Sequence, residues 1–337
     1  MAMMTIAEAL RQAIREEMQR DERVFCIGED IGIPGGFGGA FTVTLGLSDE
    51  FGHERILDTP ISEAAIAGIA LGAAIAGMRP IADVQYADFL FNMMDQLVNE
   101  AAKMRYMSGG TLSVPMVMRA PVGATARGAQ HAQSVEAFFT HVPGLKVVCP
   151  ATAYDAKGLL KSAVRDENPV LVFEHKLLYG SKGPRTEKGS ISPVGEVPED
   201  DYTVPIGKGV VRRKGKDVTI VANLLMLYRS LAAAEELSRK GVEAEVIDPR
   251  SLVPLDEDLI LESVKKTGRL LIVEEDNLSG GWGAEVAARM ADSGFFWLDA
   301  PIKRVAAPDV PPPFSPLLER EYVPSETKIV ETVLSML

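Results

Sequence analysis

Glu63 is the residue whose surroundings most favour chemistry. It directly precedes fifteen almost wholly apolar residues, 64–78 (AAIAGIALGAAIAGM), and follows the segment Asp58-Thr59-Pro60-Ile61-Ser62. A carboxyl group with limited access to solvent at the start of an apolar helix is suited to general acid–base catalysis. An acidic residue in a first helical turn is also explained by the helix dipole alone, so the residue by itself leaves both interpretations open.

His131 is the second candidate. It lies in the segment GATARGAQHAQS (123–134), which is rich in Gly, Ala and Gln and is therefore predicted to be a loop. A histidine that titrates near neutral pH and is presented to a cleft is suited to proton transfer. A histidine that only hydrogen-bonds its own loop is the alternative. We interpret His53, His141 and His175 as structural.

Several well-known catalytic and nucleotide-binding motifs are absent from the chain. There is no GxxxxGK[ST], no GxSxG and no HExxH, and the segment GGWGAE (280–285) misses the third glycine of a dinucleotide fingerprint. We interpret that segment as a turn that opens a helix. Cys26 and Cys149 lie in or beside apolar runs and form no CxxC pattern, which predicts buried thiols in a reducing compartment.

Composition and charge narrow the class of protein. The chain has 337 residues, of which 47% are hydrophobic and 24% charged, and this is typical of a globular protein of about two domains. A net charge of -12 argues against nucleic-acid or anionic-membrane partners and favours small metabolites or proteins. Residues 64–78 are fewer than the about 20 needed to span a bilayer, so we expect a core helix. Without a signal-peptide core before the first helix, we expect a cytoplasmic protein.

Short apolar runs alternate with helical patterns along the whole chain, which predicts an α/β fold with mainly parallel sheets flanked by helices. The predicted strands are 24–28, 80–84, 115–119, 146–149 and 170–174, then 217–222, 243–247 and 270–274. The predicted helices are 6–20, 62–78, 89–107 and 153–166, then 226–240, 256–266 and 325–337.

Composition also predicts the domain boundaries. Residues 1–180 form a first domain, residues 181–205, rich in Gly, Ser and Pro, form a linker, and residues 206–337 form a second domain. The prolines at 308 and 311–313 predict an extended segment before the last helix.

A long series of motifs resembles one family. The stretch LDTPISEAAIAGIALGAAIAGMRP (57–80) is similar to the pyrimidine-binding segment of thiamine-diphosphate enzymes. The similarity continues, in order, through DF (88–89), DQLVNEAAK (95–103), RYMSGG (105–110), GAQH (128–131), PGLKVV (143–148), YDAKGLLKSA (154–163), TGRL (267–270) and DAPIKRV (299–305). Together these segments resemble the beta subunit of the first, decarboxylating component of 2-oxo acid dehydrogenase complexes, which is transketolase-like. The resemblance covers nearly the whole chain.

The resemblance implies roles for particular residues. Glu63 would share a proton with the aminopyrimidine of thiamine diphosphate, Phe89 would stack on that ring, and Ile61 would give apolar contact beside it. His131 would help to transfer the acyl group to a lipoyl dithiolane. Plain core packing is the alternative for Phe89, because an aromatic residue at helical spacing is usually core.

The resemblance also implies a structural potassium ion. Its ligands would be mostly backbone carbonyls, at Met116, Ala163, Val164, Asp166 and Asn168, and carbonyl and carboxylate oxygens suit such a cation. A simple helix end followed by a proline turn explains the same residues.

One expected motif is missing. The family holds the magnesium ion and the diphosphate with a Gly-Asp-Gly motif, and this chain has none. We therefore expect an alpha subunit to supply that half of the site in an alpha-two beta-two heterotetramer. By the same resemblance, the C-terminal domain would dock the lipoyl acyltransferase core of the complex.

The substrate stays open at this point. Pyruvate is favoured, and a branched-chain 2-oxo acid and acetoin are the alternatives. An apparent insertion at 181–196 does not distinguish these three substrates. A non-catalytic scaffold subunit is the hypothesis of a different class, and the retained Glu63, Phe89 and His131 argue against it. A stand-alone transketolase-like enzyme would need a diphosphate-binding domain, for which this length leaves no room.

Overall fold

The computed structural model describes residues 1–180 and 193–337, which form two compact units. One unit comprises Met1–Val122 and Phe139–Ile206, and the other comprises Gly123–Phe138 and Gly207–Leu337. The first predicted domain, 1–180, thus differs in Gly123–Phe138, which packs with the second unit. The division at the linker stays a prediction. Much of that linker, and most of the insertion at 181–196, lie outside the described residues.

The first unit is built on a parallel sheet. Its strands are β1 (Ala2–Met4), β2 (Val24–Glu29), β3 (Ile56–Thr59), β4 (Arg79–Asp83), β5 (Val117–Val122), β6 (Lys146–Val148), β7 (Val170–His175) and β8 (Gly195–Val197). The parallel strands lie in the order β6-β7-β5-β4-β2-β3, and β1 pairs with β8 in an antiparallel ribbon. The five strands predicted for this half are confirmed; β3, which carries the chain toward Glu63, is not predicted by the apolar pattern.

Helices surround this sheet. They are α1 (Ile6–Arg20), α2 (Leu47–Phe51), α3 (Glu63–Ile75), a 3-10 helix (Ala87–Met93), a π-helix (Asp95–Ala101), α4 (Ala102–Met107), α5 (Glu136–Thr140), α6 (Ala153–Arg165) and a 3-10 turn (Lys176–Leu178). The prediction of one regular helix over 89–107 is wrong. The chain instead forms a 3-10 helix up to Met93 and a π-helix from Asp95, whose buried side carries Leu97 and Ala101.

The prediction that the apolar residues 64–78 form a core helix is only half right. In α3 the buried residues are Ile66, Ala67, Ala70, Leu71 and Ala74. On the other side Ile69 is 50% exposed, and Ala65 and Gly72 are also exposed. A helix that is apolar all round has no pattern that tells which side its own chain covers.

The second unit contains a smaller sheet. The strands of this unit are β9 (Val210–Arg213), β10 (Val218–Ala222), β11 (Ala244–Asp248), β12 (Ser251–Val253), β13 (Leu270–Asn277) and β14 (Lys303–Ala307), and all except β12 belong to this sheet. The sheet order is β14-β13-β10-β11-β9, and β9 is antiparallel to β11 while the other neighbours are parallel. The strands predicted for this half are confirmed.

The helices of the second unit are α7 (Leu224–Arg239), α8 (Glu257–Thr267), α9 (Trp282–Ser293), a 3-10 turn (Phe295–Trp297), α10 (Pro316–Tyr322) and α11 (Glu326–Leu334). Helix α10 corrects the prediction of a wholly extended segment before the last helix. Pro316 stands in the first turn of α10, where its missing N–H is no loss.

Two further expectations can be compared with the structure. Cys26 and Cys149 are both buried, which confirms the prediction of buried thiols. Among the described residues, no helix combines the length and the apolar character that a membrane crossing needs.

Candidate active site

The candidate site lies at the carboxyl edge of the first sheet. Strands β3 and β4 pair with β2 from opposite sides, and all three run parallel. Along the chain, β3 is added on one side of β2 and β4 on the other, so the order of the strands reverses at β2. Such switch points, at the carboxyl ends of parallel strands, are where open α/β sheets bind ligands. Glu63 follows the end of β3 and Phe89 follows the end of β4, so both residues belong to this edge.

Glu63 is half-buried at the first position of α3. No hydrogen-bond donor or cation among the described residues pairs with its carboxylate. The Glu29 carboxylate stands close by, since the charges of Asp30, Glu63 and Asp58 add to burial in raising the pKa of Glu29. Asp58 is occupied, because it accepts a hydrogen bond from the Gly32 N–H at 3.3 Å. Glu63 is thus a carboxylate held in place by its helix and available to an external partner.

Phe89 lies on the neighbouring element. Its 3-10 helix packs against α3, and its half-buried ring meets Tyr86 edge to face with 6.0 Å between the ring centroids. Ile61, in the turn before Glu63, is 73% exposed. The structure therefore brings Glu63, Ile61 and Phe89 to one edge of one sheet. Their roles toward a cofactor stay predictions.

His131 belongs to the second unit, in the loop over 123–135 that precedes α5. The Gly123 N–H donates to the Gln133 carbonyl at 3.1 Å and closes the loop at its base. The Ala124 N–H donates to Glu275 Oε1 at 2.7 Å, which ties the loop to β13. The imidazole is half-buried on the loop, as the sequence pattern predicted for its setting, and its catalytic role stays a prediction.

The residues predicted to bind potassium lie together, but most of their oxygens already have protein donors. Arg79 Nη1 donates to the carbonyls of Val164 at 3.0 Å and of Asp166 at 3.2 Å, and the Met116 carbonyl accepts the Val170 N–H at 3.0 Å.

Ala163 and the Asp166 carboxylate in the same set also accept hydrogen bonds. The Ala163 carbonyl accepts the Asp166 N–H at 3.3 Å, and the Asp166 carboxylate accepts from Lys146 and from the Asn168 N–H. Two of the donors, Arg79 and Lys146, are cations. The potassium site stays a prediction, and the cationic groups around these oxygens do not favour it.

A buried ion cluster near the site was not predicted from the sequence. Arg119 in β5 donates to both carboxylate oxygens of Glu174 in β7 and to Asp83 in β4, and the Tyr179 hydroxyl donates to Glu174 at 2.5 Å. Burial raises the pKa of Asp83 to about 6, with Arg119 opposing the rise. The available signal was a single charged residue in each of the predicted strands 80–84, 115–119 and 170–174.

A second buried cluster lies in the second unit. Glu136 and Asp276 are buried, and each has one carboxyl oxygen without a hydrogen-bond partner among the described residues. Burial raises the pKa of Glu136 to about 8 and that of Asp276 well above its ordinary value, and the charge of Glu136 adds to the effect on Asp276. Burial therefore favours the protonated, neutral form of both carboxyl groups.

Comparison with known proteins decides the family. The family model described as "Transketolase, pyrimidine binding domain" matches residues 2–182, and the family model described as "Transketolase, C-terminal domain" matches residues 207–329. The chain is 49% identical to the 2-oxoisovalerate dehydrogenase subunit beta of Bacillus subtilis (strain 168), over 98% of this chain and 97% of that protein. The chain belongs to the beta-subunit family of the thiamine-dependent 2-oxo acid dehydrogenases.

Other members of the family are nearly as similar. The chain is 47% identical to the acetoin:2,6-dichlorophenolindophenol oxidoreductase subunit beta of the same Bacillus strain, over 99% of this chain and 97% of that protein. It is 45% identical to the pyruvate dehydrogenase E1 component subunit beta of Rhizobium meliloti (strain 1021), over 99% of this chain and 70% of that protein. The family assignment made from the motifs is thus confirmed.

A solved structure shares the fold. A split gene transketolase, described as an inactive beta4 tetramer, superposes with a TM-score of 0.77 at 26% identity and covers 100% of this chain and 99% of its own. The predicted transketolase-like α/β fold of two parts is therefore confirmed.

Proposed function

We propose that this chain, together with an alpha subunit, decarboxylates a 2-oxo acid on thiamine diphosphate and passes the acyl group to a lipoyl disulfide. The observation that carries the proposal is the half-buried Glu63 carboxylate at the carboxyl edge of the sheet, which pairs with no donor or cation in the part of the chain that the structure describes. The motif match over Leu57–Pro80 and the family membership support the same assignment.

The residues at this edge fit the aminopyrimidine half of the cofactor. Glu63 would hold a proton at the pyrimidine ring nitrogen, Phe89 would stack on the ring, and the exposed Ile61 would give it apolar contact. Thiamine diphosphate, when bound, supplies the ring carbon that bonds to the 2-oxo carbon and accepts the electrons left by carbon dioxide. The contribution of this chain is to orient the ring and to move one proton through Glu63.

We place His131 in the second half of the reaction. A histidine can deliver a proton to a lipoyl sulfur as the disulfide opens and the acyl group is transferred. The loop that carries it is tied to the second unit by the Ala124–Glu275 hydrogen bond, which favours a fixed position for the ring.

The diphosphate and its magnesium ion are assigned to the alpha subunit, because this chain lacks Gly-Asp-Gly. The exposed apolar side of α3 supports a partner chain there. A Cβ at Gly72 would meet nothing within 4 Å, and one at Gly68 would meet only Gln96 at 3.9 Å, so another backbone has room to approach closely. We propose an alpha-two beta-two assembly that docks on a lipoyl acyltransferase core.

The substrate is a 2-oxo acid or acetoin. The relatives named for 2-oxoisovalerate, acetoin and pyruvate are 49%, 47% and 45% identical, and these values do not separate the three. A substrate panel on the reconstituted pair, with an artificial electron acceptor, distinguishes them. We keep pyruvate as the first acid to assay.

The decisive experiment replaces Glu63 with Gln in the complex with the alpha chain. Because proton transfer by a positioned side chain typically contributes about 10²- to 10⁴-fold, we expect decarboxylation to fall by that factor while magnesium and thiamine diphosphate still bind. Unchanged turnover would remove Glu63 from the mechanism. If the unaltered pair showed no saturable cofactor binding, a scaffold role would replace the enzymatic one.

The matched control is Glu54→Gln. Glu54 is exposed and precedes β3, at the end of the strand opposite to Glu63. The same chemical change there should leave the rate of decarboxylation unaltered. A loss equal to that of Glu63→Gln would point to a general effect of carboxylate removal instead of catalysis.

A further inference from the structure

We propose that Phe41 and Tyr179 are positioning residues for Phe89. The rings of Tyr179, Phe41, Tyr86 and Phe89 form a continuous line of contacts in the first unit, and the Tyr179 end of this line is fixed to the buried ion cluster. The proposal rests on the proposed function, since it concerns how the ring that would stack on the aminopyrimidine is held. We call these four residues the aromatic line.

The three contacts of the aromatic line have favourable ring geometry. Tyr179 and Phe41 are stacked, with centroids 4.5 Å apart and planes at 16°. Phe41 and Tyr86 meet edge to face at 6.2 Å and 81°, and Tyr86 and Phe89 do so at 6.0 Å and 88°. Offset stacking and edge-to-face contacts are the arrangements that aromatic pairs prefer. Each ring therefore restricts the orientation of the next.

Tyr179 is the fixed end of the aromatic line. It is 1% exposed, and its hydroxyl donates to Glu174 Oε2 at 2.5 Å. Arg119 holds the same carboxylate through two hydrogen bonds. The ring cannot shift without breaking a hydrogen bond to a buried charge, and such bonds are costly to break. Tyr179 is thus a rigid reference point at the carboxyl edge of the sheet.

Phe41 is held by its own loop. The next residue, Thr42, has a positive φ of 61°, which is uncommon for a residue with a branched side chain. Arg11 in α1 donates to the Thr42 carbonyl through Nε at 3.2 Å and also through Nη2. A strained residue persists only where its surroundings fix it, and here Arg11 does so. The loop therefore presents the Phe41 ring in one position.

Tyr86 is held from two sides. Lys176 Nζ lies 5.1 Å from the centroid of the Tyr86 ring, in a cation–π contact. The neighbouring residue Gln85 accepts the Ala40 N–H at 3.1 Å and donates to the Glu29 carbonyl. The first of these hydrogen bonds ties the chain beside Tyr86 to the chain beside Phe41, and the second ties it to the end of β2. The contact between the two rings is consequently fixed by backbone anchors as well as by packing.

The consequence concerns Phe89. Its half-buried ring receives its orientation from Tyr86, which receives its own from Phe41. A ring that is oriented before the cofactor arrives loses little freedom on binding, and such preorganisation strengthens binding. Phe41 does not need to touch the cofactor in order to affect its affinity.

The test measures the dissociation constant of thiamine diphosphate, in the presence of magnesium, for the complex with the alpha chain. We expect Phe41→Leu to raise this constant by about 3- to 10-fold, the range that corresponds to loss of one aromatic contact. Phe89→Ala should raise it further. The double variant Phe41→Leu/Phe89→Ala should bind no more weakly than Phe89→Ala alone, because Phe41 acts through Phe89. Phe41→Tyr, which keeps the ring, should restore the affinity.

Two outcomes separate the hypotheses. If Phe89→Ala weakens cofactor binding but Phe41→Leu does not, or if the two effects add in the double variant, the positioning role is overturned and the proposed function stands. If Phe89→Ala leaves binding unchanged, the proposed role of Phe89 fails, and the positioning role fails with it. Phe41→Met is the second variant, should Phe41→Leu not assemble.

The matched control is Phe139→Leu. Phe139 is also an aromatic residue of the first unit, and its ring lies 5.9 Å from that of Phe173, outside the aromatic line. We expect this variant to lower the thermal midpoint without changing the dissociation constant of the cofactor. A merely structural role of Phe41 would give the same pattern as Phe139, and this result would overturn the proposal.

Discussion

Arg119 forms a two-pronged ion pair with Glu174 inside the first sheet. Arg119 Nε lies 2.9 Å from Oε1, and Nη2 lies 2.6 Å from Oε2, with the side chains 2% and 1% exposed. In the β5–β7 register Arg119 is opposite Val172, and Glu174 is two residues further on the same face. Strand pairing thus brings together two charges that are distant in sequence.

Arg119→Met should therefore destabilise the chain strongly. Removing one partner leaves Glu174 charged and buried, and breaking a buried pair in this way costs about 3–5 kcal/mol. Denaturant unfolding at neutral pH measures the loss. Arg15→Met, in the half-exposed pair with Glu50 at 2.7 Å, is the control and should cost much less because solvent screens that pair. Equal losses would contradict the argument.

The raised pKa of Glu136 should make the stability of the folded chain depend on pH. Because burial raises its pKa from the ordinary 4.5 to about 8, the folded chain binds more protons than the unfolded chain between these values. The free energy of unfolding should consequently fall as the pH rises through this window, and be highest below it.

Glu136→Gln removes that titration and should flatten this part of the profile, so that the variant gains stability relative to the unaltered chain at pH 8–9. Denaturant unfolding from pH 5 to pH 9 gives the comparison. Glu285→Gln, on the exposed side of α9, should follow the profile of the unaltered chain. A difference that does not vary with pH would exclude Glu136 as its source.

The donors around the predicted potassium ligands give a third prediction. Since Arg79 and Lys146 already neutralise these oxygens, replacing potassium by sodium at equal ionic strength should leave the thermal midpoint unchanged. Arg79→Met should instead lower the free energy of unfolding by about 1–3 kcal/mol, because the Val164 and Asp166 carbonyls lose a charged donor. A rise in the midpoint specific to potassium would restore the metal site.

Replacing Gly72 with a larger residue should have opposite effects on the stability of the chain and on its assembly with the alpha subunit. Nothing within 4 Å opposes a Cβ at this helical position, and a better helix former should raise the stability of the chain alone by about 0.5–1 kcal/mol. If α3 is the contact with the alpha subunit, Gly72→Leu should weaken association more than tenfold. Thermal unfolding and sedimentation measure the two effects, with Ala291→Leu on exposed α9 as control. Undiminished association would place the interface elsewhere.

Replacing His131 should slow acyl transfer to the lipoyl group much more than it slows decarboxylation. His131→Ala should leave decarboxylation with an artificial electron acceptor near its original rate. Transfer to a lipoyl domain should fall by about 10²-fold, the lower range for loss of a general acid. Equal losses in both assays would indicate that His131 acts before acyl transfer or only supports its loop.

Much of this architecture follows from local pattern. Helix α1 spans the predicted residues, Ile6–Arg20, and the apolar runs mark the strands because a parallel sheet buries both faces. The position of Glu63 at the start of a helix also follows, since the apolar run after it is uninterrupted. These features depend on neighbours in sequence.

The features that were missed depend on distant contacts. The Arg119–Glu174 pair requires the β5–β7 register, and the π-helix over Asp95–Ala101 requires knowledge of which side of the chain is covered. The exposed side of α3 could not be read from its composition, since Ile66 and Ile69 are alike in sequence while one is buried and the other is half exposed. In each case tertiary packing decides between residues of the same type.

The uncovered side of α3 bears on how the protein must be made. Ile61, Ile69 and Met78 are 73%, 50% and 36% exposed on and beside this helix, and exposed apolar side chains promote self-association. Copies synthesised in excess of the other subunit would be expected to aggregate or to be degraded. Balanced production of the two chains, as from a shared transcript, would then be a requirement for yield as much as for activity.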